Sequence, residues 1–329
     1  MKITIWGTGA VGLGLASALA RPTSRLQLLV RSDATAISIQ SQGIKRIGLF
    51  GDLEISPDQF ELIREPRTLA VDPPDWLLIC VKTFSTNEIA EELEAIAESL
   101  QPVTKLLLCQ NGWDNEAAFL PFWPKDRLFH ARIITGFHQR QPGLVEITAH
   151  AAPIALGSLF GGDLDVLEPL VDRLSEGGLP AETTQEMGAV LWAKMLYNCA
   201  LNPLGALADR RYGELTEDPT MKTLLEEVIR EIFAVLAAAR IDLPWPTAAD
   251  YLETFYSELI PLTADHESSM LQDLRAGNRT EIESLCGAVE RLGVGYHVAT
   301  PVTSSLANLV RAAERRGKGP PQQPRVAPK

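Results

Sequence analysis

Gly7, Gly9 and Gly12 stand in the order G-x-G-x-x-G directly after an apolar, β-rich run at 2–7, and small apolar residues follow over 10–20. That context gives each glycine a task. Gly7 permits a tight turn out of the strand, Gly9 leaves the backbone open to a pyrophosphate, and Gly12 lets the helix press against the strand. The helix start within Gly7-Thr8-Gly9-Ala10-Val11-Gly12 then offers unpaired N–H groups and a partial positive charge to phosphates. The competing reading is a plain strand–helix turn. A glycine pattern alone would not reject it, but the strand before and the helix after are what a dinucleotide site requires.

A second strand is expected at 26–31, and its end bears on the choice of nucleotide. An NAD site places a carboxylate there for the ribose 2′-hydroxyl. Here stand Arg31 and Ser32, a guanidinium fork and a hydroxyl that suit a 2′-phosphate, so NADP(H) is the expected cofactor. Asp33 argues the other way if the strand ends later. Lys82 closes the buried run at 76–82, and Asn111-Gly112 follows the run at 104–110. At the carboxyl ends of parallel strands both would lie where ligands bind. Asn111 can donate and accept at once, which suits a nicotinamide ribose or a substrate hydroxyl, although Asn-Gly is also a common turn.

The second half of the chain carries a different set. Within the apolar segment 191–203, Lys194, Asn198 and Asn202 fall at i, i+4 and i+8, so a helix places all three on one face. A lysine and two amides in a buried helix cost free energy unless they are paired. A snorkelling lysine above two packing amides is the bland alternative. In the segment 268–283, Gly277 and Asn278 read as a helix stop, and Thr280 with Glu283 as a capping box that opens the next helix. Glu281 would then sit in that helix's first turn, where a favourable dipole contact alone could explain it.

These groups need scaffolding, and the elements expected around them differ between the halves. Continuous apolar runs at 2–7, 26–31, 76–82 and 104–110, with a Glu-rich helical stretch at 87–100, predict a parallel sheet covered on both faces. Short strands over 127–157 would close that half. From about residue 185 helical periodicity takes over, through 187–208, 219–240, 247–260, 263–276, 281–292 and 300–315. The expected domains are therefore 1–184 and 185–316, with a Pro-rich disordered tail at 317–329. Hydrophobic residues make up 46% and charged residues 22% of the 329, which fits a soluble globular enzyme. No apolar run is long enough for a membrane helix and no signal peptide is read at the N-terminus, so a cytoplasmic protein is expected. A formal net charge of −12 disfavours nucleic acid as a partner. Cys80, Cys109, Cys199 and Cys286 are too dispersed in sequence for a metal knuckle or redox pair, and read as buried, reduced thiols.

Taken together, the glycine turn, Lys82 in Val-Lys-Thr, Asn111-Gly112, Lys194-x-x-x-Asn198-x-x-x-Asn202-Pro203, and Ser269 with Glu281 resemble the ketopantoate reductase (2-dehydropantoate 2-reductase) family, over nearly the whole chain except the tail. The resemblance implies an α/β Rossmann N-terminal domain with a doubly wound, mostly parallel sheet, followed by an all-α C-terminal domain, with the active site in the cleft between them. It implies Lys194 as general acid, and Asn198, Asn202 and Ser269 as contacts to a small 2-oxo acid. Glu281 would close the site beside the cofactor, and Arg31, Lys82 and Asn111 would contact the cofactor. One departure bears on the substrate: where the family's best-known members carry a further substrate-binding asparagine, this chain has Tyr212. A reductase of another 2-oxo acid and a non-catalytic NADP sensor are the competing readings, and a homodimer is left open.

Overall fold

The computed structural model describes residues 1–21 and 24–316; the tail expected at 317–329 lies outside them. The chain divides between Leu191 and Trp192 into two compact units.

The first unit is built on an eight-stranded sheet in the order β12-β11-β8-β7-β6-β1-β2-β5. Its centre is β1 (Lys2–Trp6), flanked by β2 (Arg25–Leu29) and β6 (Trp76–Ile79) in parallel. Outward from these run β5 (Glu61–Ile63) on one side, and β7 (Lys105–Leu108) and β8 (Leu128–Arg132) on the other, all parallel. The edge pair β11 (Ile154–Gly157) and β12 (Ala181–Thr183) joins through an antiparallel β8–β11 contact. The four strands nearest the centre are buried on both faces: Ile3, Ile5, Leu28, Leu77, Leu78 and Leu106 have no exposed surface. This is why they read as unbroken apolar runs rather than as alternating ones. Helices α2 (Asp33–Gln42), α3 (Thr86–Glu94), α4 (Ala97–Leu100) and α5 (Glu168–Glu176) complete the unit together with α1 (Ala10–Leu19).

A second, four-stranded sheet lies against α1. It runs β4 (Leu53–Ile55), β3 (Ile44–Gly48), β10 (Leu144–His150), β9 (Thr135–Gln141), and α1 packs on β3, β9 and β10. The Phe137 ring of β9 comes so close that a Cβ on Gly14 of α1 would stand 2.4 Å from it. A small-residue helix is the condition for this double contact. The sequence pattern anticipated strands over 127–157 but not that two of them leave the main sheet to form this one.

The second unit holds α6 (Met187–Ala208), of which the first turn belongs to the first unit, then α7 (Tyr212–Glu217), α8 (Pro219–Ala239), α9 (Ala248–Thr254), α10 (Ile260–Thr263), α11 (Ser269–Arg275), α12 (Cys286–Gly295) and α13 (Pro301–Arg316). Among the described residues it contains no strand. Asp218 caps α8 by accepting from the amides of Thr220 and Met221, with Pro219 at the first helical position. Glu231 of α8 accepts from the amides of Val302 and Thr303, both at 2.8 Å, and so caps α13 across the bundle. Pro203 sits inside α6 and cannot donate to the carbonyl of Cys199. That carbonyl takes the Cys286 thiol instead, at 3.7 Å. Among the described residues, no helix is long and apolar enough to cross a membrane.

Two expected helix starts move: the helix expected at 263–276 begins at Ser269 as α11, and the one expected at 281–292 begins at Cys286 as α12. Thr280 and Glu283 do not open a helix. Thr280 instead gives its amide and hydroxyl to Glu314 of α13, and Glu283 pairs with Arg311 at 2.7 Å. Two carboxylate–partner contacts from α13 outcompete the local capping box. Glu281 therefore lies in the turn before α12, 7% exposed, rather than in its first helical turn.

Candidate functional site

Strand order reverses at β1, with β2 on one side and β6 on the other. A crevice opens beyond the carboxyl ends of strands at such a point. Here it is a cleft of about 320 Å³, lined among others by Trp6, Gly7, Gly9, Arg31, Ser32 and Thr35.

The three glycines of the turn are constrained in three different ways. Gly7 has φ +110°, which L side chains rarely adopt, and a Cβ there would meet the backbone of Cys80 and Val81 at 2.9 Å. A Cβ on Gly12 would stand 1.8 Å from the Gly7 carbonyl oxygen, so α1 can seat against the turn only through a glycine. A Cβ on Gly9 would meet nothing within 4 Å. Protein packing does not demand a glycine at that position, and the space it leaves open belongs to the cleft. Beyond it, α1 starts at Ala10 with no side-chain cap and no acidic residue in its first turn. An uncapped helix start facing a hollow is a cradle for an anion. The turn's residues, together with Thr8 and Val11, thus fit the pyrophosphate of a dinucleotide.

β2 stops at Leu29, two residues earlier than its pattern predicts. Ser32 caps α2 by accepting from the Thr35 amide at 3.3 Å. Asp33 falls in the first turn of α2 and pairs with Arg64, which also donates to the Arg31 carbonyl at 2.9 Å. Arg31 itself is gripped by Glu88 and Glu92 of α3, each at 2.6 Å. These two glutamates lay within the Glu-rich stretch of the sequence. Their i, i+4 spacing gave a usable signal that they share a face, but nothing along the chain tied that face to Arg31.

Lys82 and Asn111 follow the neighbouring strands β6 and β7, on the same sheet edge as the glycine turn. Lys82 is half-buried and precedes a short turn at Thr83–Ser85. Asn111 is half-buried too, and its carbonyl accepts from the Asn115 side chain at 2.9 Å; Gly112 beside it has φ +93°. The turn reading of Asn-Gly is therefore correct as geometry, and it is compatible with a ligand role for the Asn111 side chain. Sequence reasoning overlooked Gln139 of β9, which lines the cleft and donates to the Thr8 carbonyl at 3.4 Å.

In the helical unit, α6 is continuous through 194–202, so Lys194, Asn198 and Asn202 do share one face. Lys194 and Asn198 are half-buried, and Asn202 is buried. The Tyr212 hydroxyl donates to Asn202 Oδ1 at 2.7 Å, inside the bundle. The Tyr212 ring packs edge-on to Tyr197 and against His266. Burial, with Tyr197 second, pushes the Tyr212 phenol well above its ordinary range, so it remains a donor. At the start of α11, buried Ser268 caps the helix through the Leu271 amide, at 3.0 Å, and Ser269 is exposed.

The four cysteines are free, and all but the half-buried Cys80 are buried. They meet in pairs: Cys80 with Cys109 just past the ends of the adjacent strands β6 and β7, Cys199 with Cys286 between α6 and α12. Burial first, and the neighbouring thiol second, push Cys80 and Cys199 up, which leaves them poor nucleophiles. Spacing along the chain carries no sign of this pairing.

Comparison with known proteins agrees with this architecture. Residues 3–161 match the family "Ketopantoate reductase PanE/ApbA", and residues 186–314 match "Ketopantoate reductase PanE/ApbA C terminal". A 2-dehydropantoate 2-reductase of Aquifex aeolicus (strain VF5) is 34% identical over 315 residues, covering 95% of this chain and 97% of that protein. The crystal structure of a PanE/ApbA family ketopantoate reductase from Ralstonia eutropha JMP134 superposes with a TM-score of 0.83 at 26% identity, covering 97% of this chain and all of that one (100%). The fold is shared as well by a D-mandelate dehydrogenase solved with NADH and anilino(oxo)acetate, with a TM-score of 0.84 at 24% identity over 96% of this chain and 99% of that one. With both halves matched in order and a relative aligned over almost its full length, the chain belongs to the ketopantoate reductase family.

Proposed function

We propose that this protein is an NADPH-dependent reductase of a small 2-oxo acid, with ketopantoate, reduced to pantoate on the way to pantothenate, as its substrate. Residues 1–184 would bind the nucleotide and 185–316 the oxo acid. The observation that carries the reading is the space at Gly9: a glycine that packing does not require, opening into a cleft at the start of an uncapped helix. Identity to a named 2-dehydropantoate 2-reductase supports the substrate.

When bound, the nicotinamide supplies the hydride. The residues of this chain do the rest. Thr8, Ala10 and Val11 would hold the pyrophosphate with Gly7, Gly9 and Gly12; Arg31 would take the 2′-phosphate; Lys82, Asn111 and Glu281 would border the nicotinamide end. Asn198, Asn202 and Ser269 would bind the oxo acid's carboxylate and hydroxyl, with Asn111 beside them. Lys194 would polarise the ketone oxygen and then protonate the alkoxide, so that no free oxyanion accumulates.

The cofactor assignment is tested by Arg31→Ala. NADPH binding should weaken by about 1–3 kcal/mol, as for a hydrogen bond to a charged group, and NADH binding by clearly less. Equal losses would remove the assignment.

A second reading, a reductase of a different 2-oxo acid, rests on Tyr212, which stands where the family's best-known members carry a substrate-binding asparagine and here bonds Asn202. That bond engages the amide's carbonyl oxygen and turns its NH2 end away from Tyr212. A substrate contact there is a donor, suited to a carboxylate or carbonyl. Tyr212→Phe would leave Asn202 Oδ1 buried without that donor. It is expected to cost about 1–3 kcal/mol in stability and to raise KM for the oxo acid, with NADPH affinity unchanged. Asn202→Ala and Ser269→Ala should likewise raise KM for the oxo acid. A rise in the NADPH KM alone would place these residues at the wrong ligand. A panel of 2-oxo acids assayed with NADPH decides between ketopantoate and its relatives: the preferred one is that with the highest kcat/KM.

A further inference from the structure

The rim of the nucleotide cleft is less basic than Arg31 suggests. Both ends of its guanidinium fork are taken, Nη1 by Glu88 and Nη2 by Glu92. The two carboxylates stand one turn apart on α3 and present a matched pair of acceptors. The guanidinium lies 5.8 Å from the centre of the Trp6 ring, which lines the cleft with it. The second arginine at this corner, Arg64, is committed to Asp33 and to the Arg31 carbonyl. Around the end of β2, two arginines thus face three carboxylates. A 2′-phosphate would bring about −1.5 to −2 more charge into this corner. An unphosphorylated ribose would bring none, and its 2′-hydroxyl can donate to a carboxylate.

We propose that Glu88 and Glu92 are specificity-determining residues: by occupying Arg31 they hold down the preference for a 2′-phosphorylated nucleotide and admit the unphosphorylated one to the same cleft. This rests on the reading that the cleft holds a nicotinamide dinucleotide with its adenosine ribose near Arg31. The clamp also ties α3 to the end of β2. A purely structural tie would, when cut, change melting temperature or both affinities together. A specificity device changes the ratio of the two affinities.

The experiment is a binding titration of the full chain, free of turnover, with NADPH and separately with NADH. Tryptophan fluorescence or calorimetry serves for the parent, Glu88→Gln, Glu92→Gln and the double variant. Glutamine keeps the shape and removes the charge, and both sites are solvent-accessible, so folding is preserved. The double variant should bind NADPH about tenfold more tightly, NADH should change by less than about twofold, and the gain should shrink as salt rises. Adding Arg31→Ala should erase the gain. If both nucleotides bind and the ratio of their affinities is the same in all four proteins, the inference is wrong while the reading of the cleft stands. If neither nucleotide binds the parent, that reading falls and takes the inference with it.

Discussion

Lys194→Ala is expected to lower kcat by about 10²–10⁴-fold, the usual contribution of a positioned general acid, while NADPH affinity stays within about twofold of the parent. The residue sits half-buried on the polar face of α6, one turn before Asn198 and two before Asn202. Its neighbours in the heptad-like pattern, Trp192, Met195, Leu196 and Cys199, are buried and supply the packing. Truncating Lys194 removes a charge from an apolar helix rather than a piece of the core, so the variant should melt within a few degrees of the parent, since ~1 kcal/mol shifts the midpoint of a unit this size by roughly 2–8 °C. Steady-state kinetics beside a thermal melt checks both halves. A collapsed fold would favour a packing role, and a parental kcat would pass the acid role to Lys82.

The second large effect separates two glycines that look equivalent in the motif. Gly12→Ala puts a Cβ at 1.8 Å from the Gly7 carbonyl oxygen, a backbone atom that cannot swing aside. Stability should fall by at least the ~1–3 kcal/mol of an overpacked site, and nucleotide binding should be lost with it. Gly9→Ala adds a Cβ into open space. Its melting temperature should match the parent's, yet its affinity for NADPH should fall by at least about tenfold, because the methyl stands where the pyrophosphate would pass. Equal melts and equal affinities for the parent and Gly9→Ala would mean that the cleft beside Gly9 is not the phosphate path.

How much of this was legible in the chain follows from what is local. The β1–turn–α1 unit, the runs that hold β6 and β7, and the span of α6 are set by patterns local to each segment, and they appear within a few residues of where they are expected. The tight turn at Gly7 and the close helix–turn contact at Gly12 were readable for the same reason, since the φ of Gly7 and the approach of Gly12 to the Gly7 carbonyl lie within the turn itself. What escaped depends on partners far along the chain. The four-stranded sheet brings Phe137 onto Gly14, more than a hundred residues away along the chain. The start of α12 is decided by Glu314 and Arg311, some thirty residues beyond the capping box they defeat. Arg31 could be read as a phosphate ligand from its place after a strand, but not as a clamped one, because Glu88 and Glu92 reach it across the sheet edge. Tyr212 stood out as a departure from the family pattern, whereas its bond to Asn202 could be found only in the folded helices.

The proposed reaction is hydride delivery from a bound nicotinamide to the carbonyl carbon of a 2-oxo acid. It is tested most directly with NADPH deuterated on both faces of the reactive nicotinamide carbon, incubated with the protein and ketopantoate. Pantoate should carry deuterium on its carbinol carbon, one atom per nucleotide oxidised, and should form about 10²–10⁴-fold more slowly with Lys194→Ala. A protein that binds NADPH yet transfers no deuterium to ketopantoate or to any other 2-oxo acid would contradict it, and would make the chain a nucleotide-binding sensor.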